Sequence, residues 1–252
     1  MRRRFFVPHF DSGRAVLRDA SAHHAGRVLR VAPGQVYELT DGHELWLAKV
    51  ESSARDAVEF SLLEKLPTEQ PALHTTLLLS IVKFDRFEWA LEKATELGVA
   101  EVTPLAAARS EKGLIVAAEK RAARWERILQ ESAQQSRRLA PPLLNPVADP
   151  ADAFRHPAPD AAVIRLFFSE LPEAPSLRSV ADNDATAHHA ILAIGPEGGW
   201  TPEERASALA AGFAEVSLGP HILRTETAVT AALATVNYAL SPEGVPSPTP
   251  GA

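Results

Sequence analysis

The stretch "IGPEGGWTPEE", residues 194–204, places Gly195, Gly198 and Gly199 around Glu197, between an apolar run and a helix start. A second stretch, "SLGPHILRTETA" at residues 217–228, sits at a similar junction. Glycine has no Cβ, so a ligand can approach its backbone closely. Turns at the carboxyl ends of strands are where open α/β sheets bind ligands. A phosphate could rest on the following helix N-terminus, but Glu197 would repel it. A neutral or cationic ligand held by backbone amides and carbonyls suits the loop better, such as a nucleoside carrying a sulfonium. The competing reading is that Glu197 points to solvent or pairs with an arginine.

The flanking elements must hold these turns. "HHAILAI" before the first turn is short and apolar, as a buried strand is. After it, Thr201 reads as an N-cap, Pro202 as the first helical residue and Glu204 as the far side of a capping box. Upstream, "TTLLLSIV" reads as a buried strand. "DRFEWALEKATELG" reads as a helix capped by Asp85, with Glu88 three later and Gly98 past its end. "VAEVTPLA", "AAVIRLFF" and "FAEVSLG" are further strands, residues 117–136 a long polar helix, and residues 225–240 an Ala-rich helix. Strands alternating with helices imply a parallel sheet covered on both faces. Before the Pro-containing linker at residues 66–74 the pattern differs: short strands, a hairpin turning on Asp41-Gly42, and one short helix near residues 21–29. The chain therefore divides into a β-rich domain at 1–70, an α/β domain at 73–242 and a Pro-rich, disordered tail at 243–252.

The chain has 252 residues, 46 % hydrophobic and 23 % charged, which is ordinary for a soluble globular protein. No apolar run could span a bilayer, and the N-terminal run breaks at Pro8, too early for a signal peptide. With no cysteine there is neither a disulfide nor a thiolate metal site. A cytoplasmic protein is expected. The net charge of -6 speaks against nucleic acid, but its distribution does not. Residues 1–30 hold seven arginines against two aspartates, and residues 109–138 hold eight basic residues against four glutamates. Such islands are either a phosphate-contacting footprint or solvated faces with local ion pairs. P-loop, G-x-G-x-x-G, G-x-S-x-G and H-E-x-x-H motifs are absent, which sets aside nucleotide hydrolysis, dinucleotide binding, serine hydrolysis and zinc proteolysis. The pairs His23-His24 and His188-His189 lack metal spacing, and no metal is expected.

"IGPEGGWTPEE" followed by "LGPHILRTETA" closely resembles the C-terminal signature of RsmE-type 16S ribosomal RNA methyltransferases, members of the trefoil-knotted SPOUT superfamily. The resemblance extends to about residue 240. "RRFFV", "HHAGRVLRVAPG" and "DG" resemble the family's small PUA-like domain. "VKFDRFEWALEKATELGVAEVTPL", Arg109-Ser110, Arg124-Trp125 and "ESAQQSRR" resemble its middle. The implied fold is a C-terminal SPOUT-type trefoil-knotted parallel-sheet methyltransferase domain of α/β class, preceded by a small PUA-like β-barrel RNA-binding domain. The knot is an exception to the rule that chains do not thread loops.

The resemblance implies S-adenosylmethionine (AdoMet) as methyl donor and N3 of a specific uridine in 16S rRNA as acceptor, in a homodimeric enzyme. The substrate is implied to be rRNA within the 30S subunit or a late assembly intermediate. The donor is expected against three turns, with Leu166, Phe168, Ile194, Gly195, Glu197, Gly198, Gly199, Leu218, Gly219, Ile222, Leu223 and Thr227 as contacts. Arg224 is expected to stabilise charge on the uracil, and Glu226 to act as base or base-positioner. Arg2, Arg3, Arg4, Arg27, Arg30, Arg109, Arg137 and Arg138 are expected to meet rRNA phosphates. His221 stands where the family commonly has arginine, which would make a phosphate grip there weaker or pH-dependent. Two alternatives remain open: a knotted methyltransferase acting on another atom, such as a ribose 2'-hydroxyl, and a non-catalytic RNA-binding assembly factor.

Overall fold

The computed structural model describes residues 3–68, 71–155, 162–181 and 187–240; Arg2 and the expected tail lie outside them. The described residues form two compact units, one of those up to 68 with 130–141, the other of those from 71 to 129 and from 142 to 240.

The first unit contains β1 (Arg4–Phe6), β2 (Arg14–Arg18), α1 (Asp19–His23), β3 (Val36–Thr40), β4 (Leu45–Ser53) and β5 (Ala57–Leu66). Its sheet runs β1-β3-β4-β5-β2, with β1 parallel to β3 and the other pairs antiparallel. In β2, Ala15 and Leu17 face the core while Arg14 and Arg18 face water, the period-2 pattern of a one-sided sheet. The expected hairpin turns at Asp41-Gly42: the Asp41 carboxylate accepts from the amides of His43 and Glu44 at 2.9 and 2.8 Å, and Gly42 has φ +94°. The short helix starts earlier than expected and passes into a π-helical turn at His24–Val28.

The second unit contains β6 (His74–Ser80), α2 (Phe84–Glu96), β7 (Glu101–Leu105), α3 (Lys112–Ala118), the start of α4 (Ala122–Gln135), β8 (Leu143–Leu144), α5 (Pro150–Phe154), β9 (Val163–Phe168), α6 (Leu177–Ala181), β10 (His189–Ile194), α7 (Pro202–Ala210), β11 (Ala214–Val216) and α8 (Thr225–Leu240). All strand pairs are parallel, in the order β11-β9-β10-β6-β7-β8. Alternate residues serve opposite faces. Leu77, Leu79, Ile164, Leu166, Ala190 and Leu192 pack with α2, α4 and α8, whereas Leu78, Phe167, Ile191 and Ala193 pack with α5 and α7. Both faces are apolar, so the central strands read as unbroken hydrophobic runs.

Two helix boundaries differ from the sequence reading. Lys83, not Asp85, precedes α2 as its N-cap, and Asp85 lies inside the first turn. Glu88 is then free of capping and takes a bidentate pair with Arg124 at 2.7 Å for each bond. The long helix expected at 117–136 is broken: α3 ends at Ala118, a 3-10 turn covers Glu119–Arg121, and α4 follows.

Candidate active site

The carboxyl ends of β9, β10 and β11 open into one cleft with a cavity of about 210 Å³. Its walls are residues 167–171, 194–197 with 199 and 200, and 217–223, with Thr225 and Ala228 of α8 and the side chains of Arg109 and Arg205. The 194–200 wall is held by its own packing. Trp200 donates from its indole nitrogen to the Phe168 carbonyl at 3.0 Å and stacks on Phe167 at 4.8 Å. A Cβ on Gly195 would stand 2.9 Å from that indole nitrogen, so glycine here makes room for Trp200. Gly199 has φ +69°, a left-handed conformation that favours glycine. The expected capping box at Thr201 and Glu204 is present, and Glu204 also accepts from the Ala108 amide at 2.8 Å. Thr225 donates to the Gly195 carbonyl at 3.2 Å, tying α8 to the same wall.

The 217–223 wall is more open. Gly219 has φ +128°, and no atom lies within 4 Å of where its Cβ would stand. Ile222 is 80 % exposed, and His221 and Arg224 are exposed. Behind this wall, Arg205 of α7 grips Glu215 of β11 with bonds of 2.8 and 3.0 Å from its Nε. That pair holds the Glu215 carboxyl below the usual carboxylate range.

Of the expected donor contacts, Phe168, Ile194, Gly195, Glu197, Gly199, Leu218, Gly219, Ile222 and Leu223 line the cleft. Leu166, Gly198 and Thr227 do not. Leu166 is fully buried in the core two residues before the strand end. A Cβ on Gly198 would meet the Arg109 side chain at 3.2 Å. Thr227 is exposed; it lies two residues past Thr225, about 200° around the helix, and so faces away. Glu197 contacts Arg86 of α2, and Arg86 Nε lies 3.9 Å from Glu226, so the negative charge in the glycine turn has an arginine partner. Glu226 does not line the cleft; its side chain is 14 % exposed, behind the wall. Arg224 is exposed at the start of α8, and its carbonyl accepts from the Ala228 amide at 2.8 Å.

The expected phosphate contacts divide. Arg3, Arg27 and Arg30 are exposed. Arg4 and Arg137 both bind Glu38, which is 5 % exposed, and Arg4 also donates to the Arg137 carbonyl. Their charge is spent inside the first unit, a correction to their reading as free phosphate ligands. Arg138 is half-buried, and desolvation pushes its guanidinium pKa down to about 10. Arg109 donates to the Gly198 carbonyl at 2.8 Å and lines the cleft. It reaches there because Ser110 anchors the loop, donating to the Ile81 carbonyl at 2.7 Å.

A family model described as an RNA methyltransferase domain matches residues 68–237, and one described as an RNA methyltransferase PUA domain matches residues 17–63. The ribosomal RNA small subunit methyltransferase E of Synechocystis is 33 % identical over 226 residues, covering 89 % of this chain and 73 % of that protein. The chain belongs to the ribosomal RNA small subunit methyltransferase E family. A second member, from Mycobacterium bovis, is 32 % identical over 239 residues, covering 92 % of this chain and 89 % of its own. A crystal structure of the Neisseria gonorrhoeae member bound to S-adenosyl methionine superposes with a TM-score of 0.84 at 32 % identity, covering 94 % of this chain and 98 % of that one. The expected fold class holds: a SPOUT-type trefoil-knotted methyltransferase domain follows a PUA-like domain.

Sequence reasoning missed several cleft residues. Trp200 stood inside the quoted motif, and its ring became informative only with Phe167 and Gly195 around it. Arg86, which does not line the cleft but contacts Glu197, carried no signal, since an arginine in the first turn of a helix is ordinary. Glu170, Ser217 and Thr225 line the cleft from positions that sequence spacing alone does not single out. His189, buried against Thr76 at 3.0 Å and His74 at 3.2 Å, lies at the amino ends of the strands, away from the cleft. Among the described residues no group of three or more His, Cys, Asp or Glu could hold a metal ion, and no helix is long and apolar enough to cross a membrane.

Proposed function

We propose that the chain methylates N3 of a uridine in small-subunit ribosomal RNA, using AdoMet held in the cleft at residues 167–171, 194–200 and 217–223. The observation that carries this reading is the cleft itself. Three strand-to-helix turns offer backbone amides and carbonyls, Gly219 leaves an open cradle, and the one carboxylate in the glycine turn is engaged by Arg86. That chemistry fits a neutral or cationic adenosyl ligand and not a phosphate. The related Neisseria structure, which holds S-adenosyl methionine, supports the same ligand here.

When bound, AdoMet supplies an electrophilic methyl group on a sulfonium. Uracil N3 becomes a nucleophile on losing its proton, and the charge then spreads to O2 and O4. Arg224, exposed between the cleft residues Leu223 and Thr225 and without an ion-pair partner among the described residues, is the cation we assign to those oxygens. Glu226, 14 % exposed behind the wall beside Arg86, is the residue we assign to positioning the site and not to taking the proton. Arg3, Arg27 and Arg30 are the phosphate contacts we retain, together with Arg109 at the cleft, and Arg2 belongs with them by sequence. His221 at the open wall adds a further polar contact to RNA.

The acceptor is rRNA within a 30S subunit or a late assembly intermediate, which places the enzyme in the cytoplasm. The reaction needs no metal. A homodimer through α8 is supported by its uncovered stripe of Ala234, Thr235, Tyr238 and Ala239, in which Tyr238 is 90 % exposed. The test is methyl transfer from labelled AdoMet to 30S subunits lacking the modification, followed by nucleoside analysis. Label in N3-methyluridine is the expected result. Label on a ribose 2'-hydroxyl, or none despite AdoMet binding, would overturn the assignment.

A further inference from the structure

Arg86 belongs to the first turn of α2, outside the three turns that line the cleft, yet it joins two of the cleft's supports. Its guanidinium contacts Glu197, which lines the cleft from the glycine turn, and its Nε lies 3.9 Å from Glu226 of α8. The two carboxylates differ in solvation: the Glu197 side chain is 43 % exposed and that of Glu226 only 14 %. Among the described residues, Glu226 Oε2 is shielded from water and accepts no hydrogen bond. A carboxylate in that state depends on a nearby cation, because burial costs a charge heavily unless it is paired. One arginine therefore serves two carboxylates, and the cluster keeps an excess of one negative charge beside the cleft.

Resting on the reading that AdoMet binds here, we infer that Arg86 is a positioning residue, and that the Arg86, Glu197 and Glu226 cluster favours the cationic donor over its neutral demethylated product. The positioning follows from connectivity. Glu197 is flanked by Pro196 and by Gly198, so its ion pair to α2 fixes the turn's tip, while the Trp200 indole fixes the turn's base. The discrimination follows from charge. AdoMet and S-adenosylhomocysteine differ by one methyl group and one positive charge on sulfur. The cluster's excess negative charge, in a partly buried wall, acts on that difference, since Coulomb energies are larger there than in water.

The two acidic residues and the arginine make a charge series. Arg86→Gln raises the excess negative charge, whereas Glu226→Gln removes it. Calorimetry with AdoMet and with S-adenosylhomocysteine on the full chain and these variants reads both effects. For Arg86→Gln the expected result is roughly tenfold weaker S-adenosylhomocysteine binding from the loosened turn, with AdoMet weakened less, so that preference moves toward the cation. Glu226→Gln moves the preference the other way, and Arg86→Lys restores both affinities to within a few-fold. An unchanged ratio of the two affinities across both variants overturns the charge assignment. Unchanged affinities in Arg86→Gln overturn the positioning role. If Arg86→Gln fails to fold, the ratio in Glu226→Gln still decides the charge. A wild-type chain that binds neither ligand removes the donor-site reading along with the inference, and is distinguished from the other outcomes by that fact.

Discussion

The 194–200 and 217–223 turns line the same cleft and both carry glycine, but they are built in opposite ways. In the first, the Trp200 ring, the Thr225 hydroxyl, the Arg109 guanidinium and the Arg86 ion pair fill the space around the backbone. In the second, Gly219 meets nothing and Ile222 is 80 % exposed. A wall completed by its own protein contacts is preorganised and costs little to order when ligand arrives. A wall with exposed apolar and basic side chains gains its partners from ligand and substrate. Changes in the first turn should therefore act through stability and donor binding, and changes in the second through turnover.

Arg224, at the end of the open turn, gives the largest expected effect. Arg224→Lys keeps one charge but loses the planar fork of donors. Loss of a preorganised donor at a developing oxyanion costs about 2.7 to 4 kcal/mol, roughly a hundred- to thousandfold in rate. Single-turnover methylation should fall by that much while AdoMet affinity stays within a few-fold of wild type. A defect confined to AdoMet affinity would erase the contrast between the turns.

Gly195→Val comes next and acts on the closed turn. Its branched side chain would start 2.9 Å from an indole nitrogen that is itself bonded to Phe168. Overpacking of this kind costs about 1 to 3 kcal/mol. Thermal unfolding should drop and AdoMet binding should be lost with it. A variant as stable as wild type, with normal affinity, would show that the Trp200 packing is not what holds the wall.

Much of this architecture was legible in the sequence. Five of the six parallel strands are legible there, the two-residue β8 (Leu143–Leu144) being too short to signal itself, and the Thr201, Pro202 and Glu204 spelling of a helix start holds to the residue. Local signals of this kind work because capping and strand burial depend on neighbours in the chain. What was not legible depends on distant partners. Arg4 and Arg137 look like free cations until Glu38 is placed between them. Gly198 looks like a ligand contact until the Arg109 side chain is found beside it, whereas Gly195 and Gly199 line the cleft. The break between α3 and α4 also escapes, since "AAEKRAARW" has helical propensity throughout.

A smaller effect concerns pH and the support behind the open turn. Arg205 lowers the Glu215 pKa in the folded chain below its ordinary 4.5. A carboxyl depressed by folding stabilises above its unfolded value and loses that contribution as pH falls through the folded one. Arg205→Gln should therefore lower thermal stability at neutral pH and narrow the gap to wild type in the acid range below about pH 4. Because the Arg205 side chain is 40 % exposed and solvent screens the pair, the shift should be less than that of Gly195→Val. A gap that stays constant with pH would remove Glu215 as the titrating partner.

Ile222→Ala should have the smallest effect on the free protein, and it isolates the open turn most directly. The side chain is 80 % exposed, so truncating it removes little buried surface. Substitutions at such positions stay within about 0.5 kcal/mol of wild-type stability. Thermal unfolding of the ligand-free variant should match wild type. The side chain nonetheless lines the cleft, so it gains contact area when donor and acceptor are in place. Buried apolar area is worth about 25 cal/mol per Å², which for part of an isoleucine side chain corresponds to a few-fold in affinity or rate. Unchanged unfolding with a few-fold loss in single-turnover methylation is the expected pair of results. A destabilised apo variant would mean that Ile222 is packed in solution, and the 217–223 turn would then be as closed as its neighbour.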